Sequence, residues 1–436
     1  MLNINNPDVI IIGAGIIGCA IAFELSKAGY KTLNIDKNKS AGAGSTINSC
    51  AIVRMGYSTY DGVAMAHECF QYWQDWPGYL GAADSSGLAQ FVNRGTIMLL
   101  SPEPRSQRML QLFDEVGVEY ELWDAQTLRQ NTPFMNLASF YPPTRMAHEQ
   151  FWADGNGEID GAIYIRNGGY VTDPQLATHN LMAAAQAHGA EFWFGTPVIS
   201  IRDNGGRISG VTLSDGMRAN SPIVINVAGP HSALVNRMAG VTGDMQITTR
   251  ALRHEVHFIP AEIDEIAQTA SHFSDADTGV YFRPEAGDAL LVGSKDPECD
   301  TKEWVDNPDQ FNRRVTQDQW KHQIYRLAKR LPGIRIPTMP KGVADLYDVS
   351  DDWIPIYDKS SLPGFYMAIG TSGNQFKNAA PAGHLIARLI HAVENGHDHD
   401  QNPLRYNAVY SGLEINVGFY SRLREMNPDS SYSVSG

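Results

Sequence analysis

Apolar positions near the start of the chain follow a strand pattern, then a helix pattern, then a strand pattern again. The run Val9 to Ile12 is entirely β-branched, which is typical of a strand buried on both faces of a parallel sheet. Apolar residues then recur at helical spacing as far as Ala28, and Gly29 is placed to end the helix. The run Thr32 to Ile35 predicts the next strand.

The turn between the first strand and the helix carries the motif Gly13-Ala14-Gly15-Ile16-Ile17-Gly18. In such a turn the first glycine permits a tight bend, the second lets a pyrophosphate approach the backbone, and the third allows close helix packing. Asp36 ends the second strand, where a carboxylate can accept hydrogen bonds from ribose hydroxyls. The segment predicts a dinucleotide site. Asp36 disfavours NADP, whose 2′-phosphate would face a carboxylate, and leaves FAD and NAD open.

The same patterns continue along the chain. Asp173-Pro174 predicts an N-cap and a first-turn proline for a helix that ends near Gly189. Further predicted elements are a strand over 195–201 joined by a turn at Gly205-Gly206 to a strand over 210–213, a buried strand over 223–227, a strand and glycine-rich loop over 364–377, and a helix over 380–392.

Composition narrows the class of protein. The chain has 436 residues, of which 43% are hydrophobic and 19% charged, and this length predicts two or three domains. The formal net charge of -14 argues against nucleic-acid binding and favours small molecules. Four scattered cysteines without a Cys-x-x-Cys pair argue against a disulfide framework or a zinc site, and predict a reducing, cytoplasmic location. The longest apolar run, Val9 to Leu25, contains three glycines and Glu24, so no transmembrane helix is expected.

Residues 40–51, a stretch of small and hydroxyl side chains able to approach a ligand closely, follow the second strand. At this point the chain resembles the FAD-dependent amino acid and secondary amine oxidoreductases, a family that includes D-amino-acid oxidase, glycine oxidase, monomeric sarcosine oxidase and dimethylglycine dehydrogenase. Four blocks carry the resemblance: Val9 to Asp36, Gly44 to Arg54, Gly169 to Pro230, and Tyr347 to Leu389.

The resemblance implies an α/β fold in which a Rossmann-type FAD-binding domain is interleaved with a substrate domain built on a mainly antiparallel β-sheet. The FAD-binding domain is expected over residues 1–85, 145–248 and 345–400, and the substrate domain over 86–144 and 249–344. Residues 401–436 are expected to form a C-terminal helix and a flexible tail.

The resemblance also implies a set of FAD contacts. They are Gly13, Gly15, Ile16, Ile17, Gly18, Asp36, Lys37, Gly44, Ser45, Thr46, Val198, Ala228, Gly229, Gly373, Asn374, Gln375, Phe376 and Lys377. Relatives with covalent flavin carry a cysteine or a histidine where this chain has Asp345 or Asn48. We therefore expect noncovalent FAD.

Four residues match the substrate site of the family. Lys377 and Arg54 match cations at the substrate carboxylate, and Tyr347 and Tyr281 match aromatic pocket residues. This implies hydride transfer from a secondary amino acid, such as sarcosine or iminodiacetate, to FAD, then imine hydrolysis and reoxidation by O2 giving H2O2. The oxygen-activating lysine of the family falls at about Leu291, and the nearest amine is Lys295, which leaves the electron acceptor open.

Several alternatives remain at the level of sequence. The chain could oxidise a primary amino acid, pass electrons to a partner protein as a dehydrogenase subunit, or bind flavin without catalysis, and it could form a homo-oligomer. Five basic side chains lie in the expected substrate sheet, and if two faced inward a dicarboxylic amine would become the more attractive substrate: Arg250, Arg253, His254, Arg283 and Lys295. The run His397-Asp398-His399-Asp400 is interpreted as a surface loop without a metal, and the aromatic residues 70–79 as core.

Overall fold

The computed structural model describes residues 6–100, 105–262 and 264–436. The α-helices within these residues are α1 (Ile16–Lys27), α2 (Tyr60–Gln74), α3 (Trp76–Leu80), α4 (Arg105–Val116), α5 (Ala125–Asn131), α6 (Pro174–Ala187), α7 (Ser232–Ala239), α8 (Asp264–Thr269), α9 (Gln317–Arg330) and α10 (Ala379–Glu394). The strands are β1 (Val9–Ile12), β2 (Thr32–Ile35), β3 (Ile52–Val53), β4 (Phe91–Asn93), β5 (Thr96–Leu99), β6 (Glu121–Asp124), β7 (Gly161–Ile165), β8 (Gly169–Val171), β9 (Glu191–Trp193), β10 (Val198–Asp203), β11 (Ile208–Leu213), β12 (Arg218–Asn220), β13 (Ile223–Asn226), β14 (Thr249–Pro260), β15 (His272–Asp275), β16 (Val280–Glu285), β17 (Ala289–Ser294), β18 (Glu303–Val305), β19 (Gly342–Ser350), β20 (Ile356–Lys359), β21 (Phe365–Ile369), β22 (Arg405–Asn407) and β23 (Glu414–Asn416).

A six-stranded sheet in the order β20-β21-β13-β1-β2-β9 carries the nucleotide-binding motif. Its neighbouring strands are parallel except for the antiparallel pair β20 and β21. In β1, Val9 and Ile11 belong to one hydrophobic core, and Ile10 and Ile12 to another. The strand is therefore buried on both faces, as its continuous apolar pattern predicts.

Helix α1 packs against both α6 and α10 beside this sheet. The contact with α10 depends on Gly383, where a Cβ atom would lie 2.7 Å from the carbonyl oxygen of Ala20. A larger residue at that position would force the two helices apart. Close packing thus fixes α10, together with the loop that precedes it, against the helix of the glycine motif.

A nine-stranded sheet forms the second layer, in the order β18-β14-β17-β16-β15-β5-β7-β6 with β19 also paired to β14. All of its pairs are antiparallel except β5 with β15. Helix α9 packs on β14, β16 and β17. The predicted combination of a Rossmann-type sheet with a mainly antiparallel sheet is confirmed.

The local predictions are confirmed where capping and periodicity are strong. Helix α6 begins at Pro174, and the Asp173 carboxylate accepts a hydrogen bond from the Leu176 amide at 2.8 Å. Strands β10 and β11 form the predicted hairpin, and β13, β21 and α10 lie where the pattern places them. No helix in the described part of the chain is long and apolar enough to span a membrane.

Two predicted domain boundaries do not match the sheets. Strand β7 lies between β5 and β6 in the nine-stranded sheet, although the boundary at residue 145 assigned it to the FAD-binding domain. Strand β19 pairs with β14 along its whole length and so crosses the boundary at residue 345. A strand joins the sheet of its hydrogen-bonding partner, and the pattern along the chain does not identify that partner.

The prediction of a helix within residues 401–436 is wrong. This segment contains the antiparallel pair β22 and β23 and a 3₁₀-helix, Val417–Tyr420. In β22 the buried Tyr406 lies between the exposed Arg405 and Asn407. Alternation with a period of two residues stabilises a strand and not a helix.

The last residues, which the sequence predicts to be a flexible tail, pack on the protein. Val434 is buried in a cluster with Leu252, Val349 and Trp353. The Ser430 hydroxyl donates to the carbonyl oxygen of Asp352 at 2.6 Å. The polar composition of the tail suggested solvent exposure, whereas its hydroxyls satisfy backbone groups of the fold.

Candidate functional site

A cavity of about 530 Å³ is lined on one side by the ends of β1, β2 and β13 and on the other by β14, β16 and β19. Every predicted FAD contact lies on its wall, as do the predicted substrate residues Arg54, Tyr281 and Tyr347. Residues from distant parts of the chain thus converge on one site.

The glycine turn forms the end of the cavity next to α1. Gly13 has a φ of +119°, and a Cβ atom there would lie 2.4 Å from the Val227 carbonyl oxygen. At Gly18 a Cβ would lie 2.3 Å from the carbonyl oxygen of Gly13. Both positions therefore require glycine, and the turn leaves the N-terminus of the twelve-residue helix α1 at the cavity, where its dipole favours an anionic phosphate.

Asp36 lies at the end of β2, as the motif predicts. Its carboxylate accepts hydrogen bonds from the amides of Ala14 and Asn38, each at 2.7 Å. A carboxylate has about four lone-pair positions, so acceptors remain for ribose hydroxyls. The neighbouring Lys37 forms an ion pair with Asp309 and a 2.8 Å contact with His231, which connects the two domains across this end of the cavity.

The positions at which relatives attach flavin covalently contact one another in this chain. The Asn48 amide donates to the Asp345 carboxylate at 2.5 Å, and the Ser45 hydroxyl approaches the same carboxylate at 3.4 Å. This chain has an amide and a carboxylate at the two positions where those relatives have a thiol or an imidazole. The hydrogen-bonded pair supports noncovalent binding.

The loop between β21 and α10 forms another wall. Gly373 has a φ of +68°, and a Cβ there would lie 2.4 Å from the ring of Tyr347. The Nδ2 atom of Asn374 is buried without a hydrogen-bond partner, which is costly for an amide unless a ligand accepts its hydrogen bond. With the glycine turn and Asp36, this donor fits FAD extended along the cavity.

Two cations flank the ring of Tyr57 at the other end of the cavity. The Lys377 ammonium is buried and donates to the Tyr57 hydroxyl at 2.6 Å and to the Asn374 carbonyl at 2.8 Å. The Arg54 guanidinium lies 5.1 Å from the Tyr57 ring centroid and donates to the carbonyl oxygens of Gly56 and Val434. No carboxylate of the described residues forms an ion pair with either cation. Such a site favours an anionic ligand.

Burial sets the protonation of these groups. It lowers the pKa of Lys377 well below the ordinary value, and the nearby Arg54 lowers it further. Burial also raises the pKa values of Tyr281 and Tyr347 well above the ordinary value. Both tyrosines therefore remain neutral phenols at physiological pH, and Tyr281 contacts the Cys50 thiol at 3.1 Å.

The five basic residues of the substrate sheet separate into two groups. Arg253 is buried with Glu255 on the face of β14 away from the cavity, Arg250 lies over Trp304, and Arg283 pairs with Glu285. His254 and Lys295 line the cavity, so two of the five face inward. Alternation along β14 places His254 on the face opposite to Arg253.

His254 is held by a buried carboxylate. Its Nε2 atom lies 2.6 Å from Oδ1 of Asp296, and its ring stacks on Tyr347 with centroids 4.5 Å apart. Burial by itself would lower the pKa of His254, but Asp296, with smaller effects of Asp300 and Glu255, raises it above the ordinary value of 6.5. The imidazole thus retains a proton to higher pH than in water.

Sequence reasoning missed several residues of the cavity wall. His272 and Ser274 line the cavity, and Tyr57 accepts a hydrogen bond from the lining residue Lys377. The Lys295 ammonium donates to the Ser274 hydroxyl at 2.7 Å. His272 and Ser274 are two residues apart in β15, so they share a face. That spacing is visible in the sequence, but the direction of the face depends on strand pairing.

Two weaker sequence signals have a structural explanation. The aromatic residues 70–79 are core, with Trp73 stacked on Trp76 at 4.3 Å, and the Trp73 indole donates to the Lys377 carbonyl at 2.8 Å. Asp400 forms ion pairs with Lys359 and Arg422. The described residues contain no group of three or more His, Cys, Asp or Glu side chains arranged to hold a metal ion.

Comparison with known proteins gives relatives along most of the chain. Human sarcosine dehydrogenase is 24% identical over 400 residues, which cover 88% of this chain and 40% of that protein. Sarcosine oxidase subunit beta of Rhodobacter capsulatus is 24% identical over 391 residues, covering 88% of this chain and 84% of that protein. The chain thus spans less than half the length of the human protein.

The fold also matches solved structures. L-proline dehydrogenase from P. horikoshii superimposes with a TM-score of 0.74 at 19% identity, covering 96% of this chain and 97% of that chain. The family model described as FAD dependent oxidoreductase matches residues 8–389. With the glycine turn, Asp36 and the loop before α10 lining one cavity, the chain belongs to this family of FAD-dependent oxidoreductases.

Proposed function

We propose that the protein oxidises the C–N bond of a secondary amino acid. The observation that carries this proposal is the pair of cations, Arg54 and Lys377, at the end of the cavity away from the glycine turn, neither of which forms an ion pair with a described carboxylate. A substrate carboxylate would offset the repulsion between these cations and the desolvation of Lys377. The sarcosine-related names of two relatives agree with an N-substituted substrate.

FAD, held by the glycine turn, Asp36 and the loop before α10, would supply the two-electron acceptor for a hydride from a carbon bonded to the substrate nitrogen. Water would hydrolyse the resulting imine to an oxo acid or aldehyde and an amine. Arg54 and Lys377 hold the carboxylate, which positions the α-carbon. The neutral phenols of Tyr281 and Tyr347 line the pocket without adding negative charge. We propose O2 as the electron acceptor, with H2O2 as product.

A dicarboxylic amine such as iminodiacetate is the favoured substrate within this class. Lys295 lines the same cavity and donates to Ser274, so it adds a cation on the wall of the substrate domain. We assign Lys295 to a second carboxylate because its side chain lies on the wall of the same cavity as Arg54 and Lys377.

The test is anaerobic bleaching of the flavin absorbance with a panel of sarcosine, iminodiacetate, glycine and D-alanine. Secondary amines should bleach the flavin, and iminodiacetate should do so at the lowest concentration. Lys377→Met should raise the concentration for half-maximal bleaching at least about tenfold, because a charge-assisted hydrogen bond contributes about 1.5–3 kcal/mol. Lys321→Met, at an exposed position of α9, is the matched control.

The outcomes separate the alternatives. Bleaching by glycine or D-alanine alone would establish a primary amino acid oxidase, and no bleaching by any amine would refute the proposal. Unchanged half-saturation in Lys377→Met would remove this residue from the carboxylate site. Admission of air then tests the acceptor: H2O2 formation indicates an oxidase, whereas a flavin that stays reduced indicates electron transfer to a partner protein.

A further inference from the structure

Residues 430–436 form part of the cavity wall at the end where Arg54 lies. Val434 and Ser435 line the cavity. The segment lies outside residues 8–389, which the family model matches. The family match therefore does not itself describe these contacts.

The segment is bonded directly to the Arg54 guanidinium. Nη2 of Arg54 donates to the Val434 carbonyl oxygen, and Nη1 donates to the Gly56 carbonyl oxygen. Both acceptors are neutral groups, so they orient the guanidinium without cancelling its charge. Arg54 is thus held in place and still attracts an anion.

The segment forms a closed loop that is tied to the protein at both ends. The Ser431 amide donates to the main-chain oxygen of Gly436 at 2.8 Å, which closes the loop. The Ser430 hydroxyl donates to the Asp352 carbonyl at 2.6 Å, and the Ser58 hydroxyl donates to Gly436. Asp352 follows β19 and Ser58 precedes α2, so these two hydrogen bonds connect the loop to both sides of the cavity end.

The apolar contacts of the loop reach the predicted substrate pocket. Val434 packs with Leu252, Val349 and Trp353, and Tyr347 packs against the same cluster. Gly436 lies so close to Tyr57 that a Cβ would come within 2.8 Å of its ring. The loop therefore lies against the ring of Tyr57 and shares an apolar cluster with Tyr347.

We propose that residues 430–436 are a specificity-determining strap. They hold Arg54 in the orientation that receives the substrate carboxylate, and they close the cavity beyond it, which limits the size of the acid that binds. Val434 is a positioning residue in this arrangement. The inference rests on the proposed function, since it takes a carboxylate as the group that Arg54 binds.

The test compares the unaltered enzyme with a variant lacking residues 430–436, using sarcosine or iminodiacetate as the small acid and N-benzylglycine as the bulky one. Loss of the strap should raise KM for the small acid about tenfold with less than about a twofold change in kcat. The ratio of kcat/KM for the bulky acid to that for the small acid should rise about tenfold. Met426→Ala, at an exposed site outside the cavity wall, should leave both quantities unchanged.

Two point variants keep the proposal testable if the shortened protein fails to fold. Ser58→Ala removes one tie and Val434→Ala removes apolar packing, and each should change KM and the substrate ratio in the same direction by a smaller factor. An unchanged ratio in all variants would overturn the proposal, as would a lower KM for the small acid. Failure of every amine to reduce the unaltered enzyme would instead refute the proposed function.

Discussion

At the scale of single residues, the fold changes the charge of groups on the cavity wall. The Asp348 carboxyl is buried, and its side chain accepts a hydrogen bond from the Gly370 amide at 2.7 Å. Burial nevertheless raises the pKa of Asp348 from its ordinary value of 3.8 to about 7. Because the pKa is raised in the folded state, the contribution of the Asp348 carboxyl to the free energy of unfolding is fully present below about pH 4. This contribution is lost as the pH rises through about 7.

Asp348→Asn tests this effect. The variant and the parent should unfold alike near pH 4, because both then carry a neutral side chain. At pH 8 the variant should be more stable, with a free energy of unfolding higher by on the order of 3 kcal/mol. Chemical denaturation between pH 4 and pH 8 measures the difference. Asp306→Asn, at an exposed position, should show the same pH dependence of the free energy of unfolding as the parent protein. Asp348→Asn would also show the parent's pH dependence if the Asp348 carboxyl were ionised at every pH.

At the scale of elements, helix α9 is attached to the nine-stranded sheet by buried charges as well as by apolar packing. Trp320, Ile324 and Leu327 face the hydrophobic core. At the end of the helix the fully buried Arg330 forms ion pairs with Asp275 and Asp277, each at 2.9 Å. Its remaining donors reach backbone carbonyls, so the guanidinium is satisfied in place.

Arg330→Met should therefore be strongly destabilising. The substitution leaves two carboxylates buried without their cation, which costs about 3–5 kcal/mol when a buried pair is broken. Urea denaturation measures the loss. Lys321→Met, on the exposed face of the same helix, should change the free energy of unfolding by less than about 0.5 kcal/mol. Equal effects of the two substitutions would contradict the importance of the buried ion pairs.

At the scale of the whole molecule, the cavity joins the two sheets, because its wall takes residues from both. Asn48 and Asp345 are paired where relatives carry an attachment nucleophile. FAD bound here without a covalent bond would hold the two parts of the fold together. Stability and cofactor binding are then linked.

Acid precipitation should consequently release the flavin into the supernatant. Adding FAD to the flavin-free protein at about 100 times its Kd should raise the free energy of unfolding by about 2.7 kcal/mol, whereas NAD should have little effect. Thermal unfolding with each nucleotide provides the measurement. Gly13→Ala should abolish the FAD effect, because the Cβ would lie 2.4 Å from the Val227 carbonyl. Flavin that stays with the precipitate would show covalent attachment.

The sequence by itself determined the nucleotide-binding half of this protein. Gly13, Gly18 and Asp36 were found from spacing, because the requirements of a tight turn and a strand end are set by residues a few positions apart. The capped helix α6 and the buried strand β1 were found for the same reason. Lys377 and Arg54 were reached only through family resemblance.

Only the tertiary structure decided what surrounds the substrate end of the cavity. Val434 lies 380 positions from Arg54 along the chain, yet its carbonyl binds the guanidinium. The position of β7 in the nine-stranded sheet and the inward direction of His254 likewise depend on which strands pair. Local patterns report the period of burial along one element. They do not report which distant element covers it, because that choice depends on the packing of the whole chain.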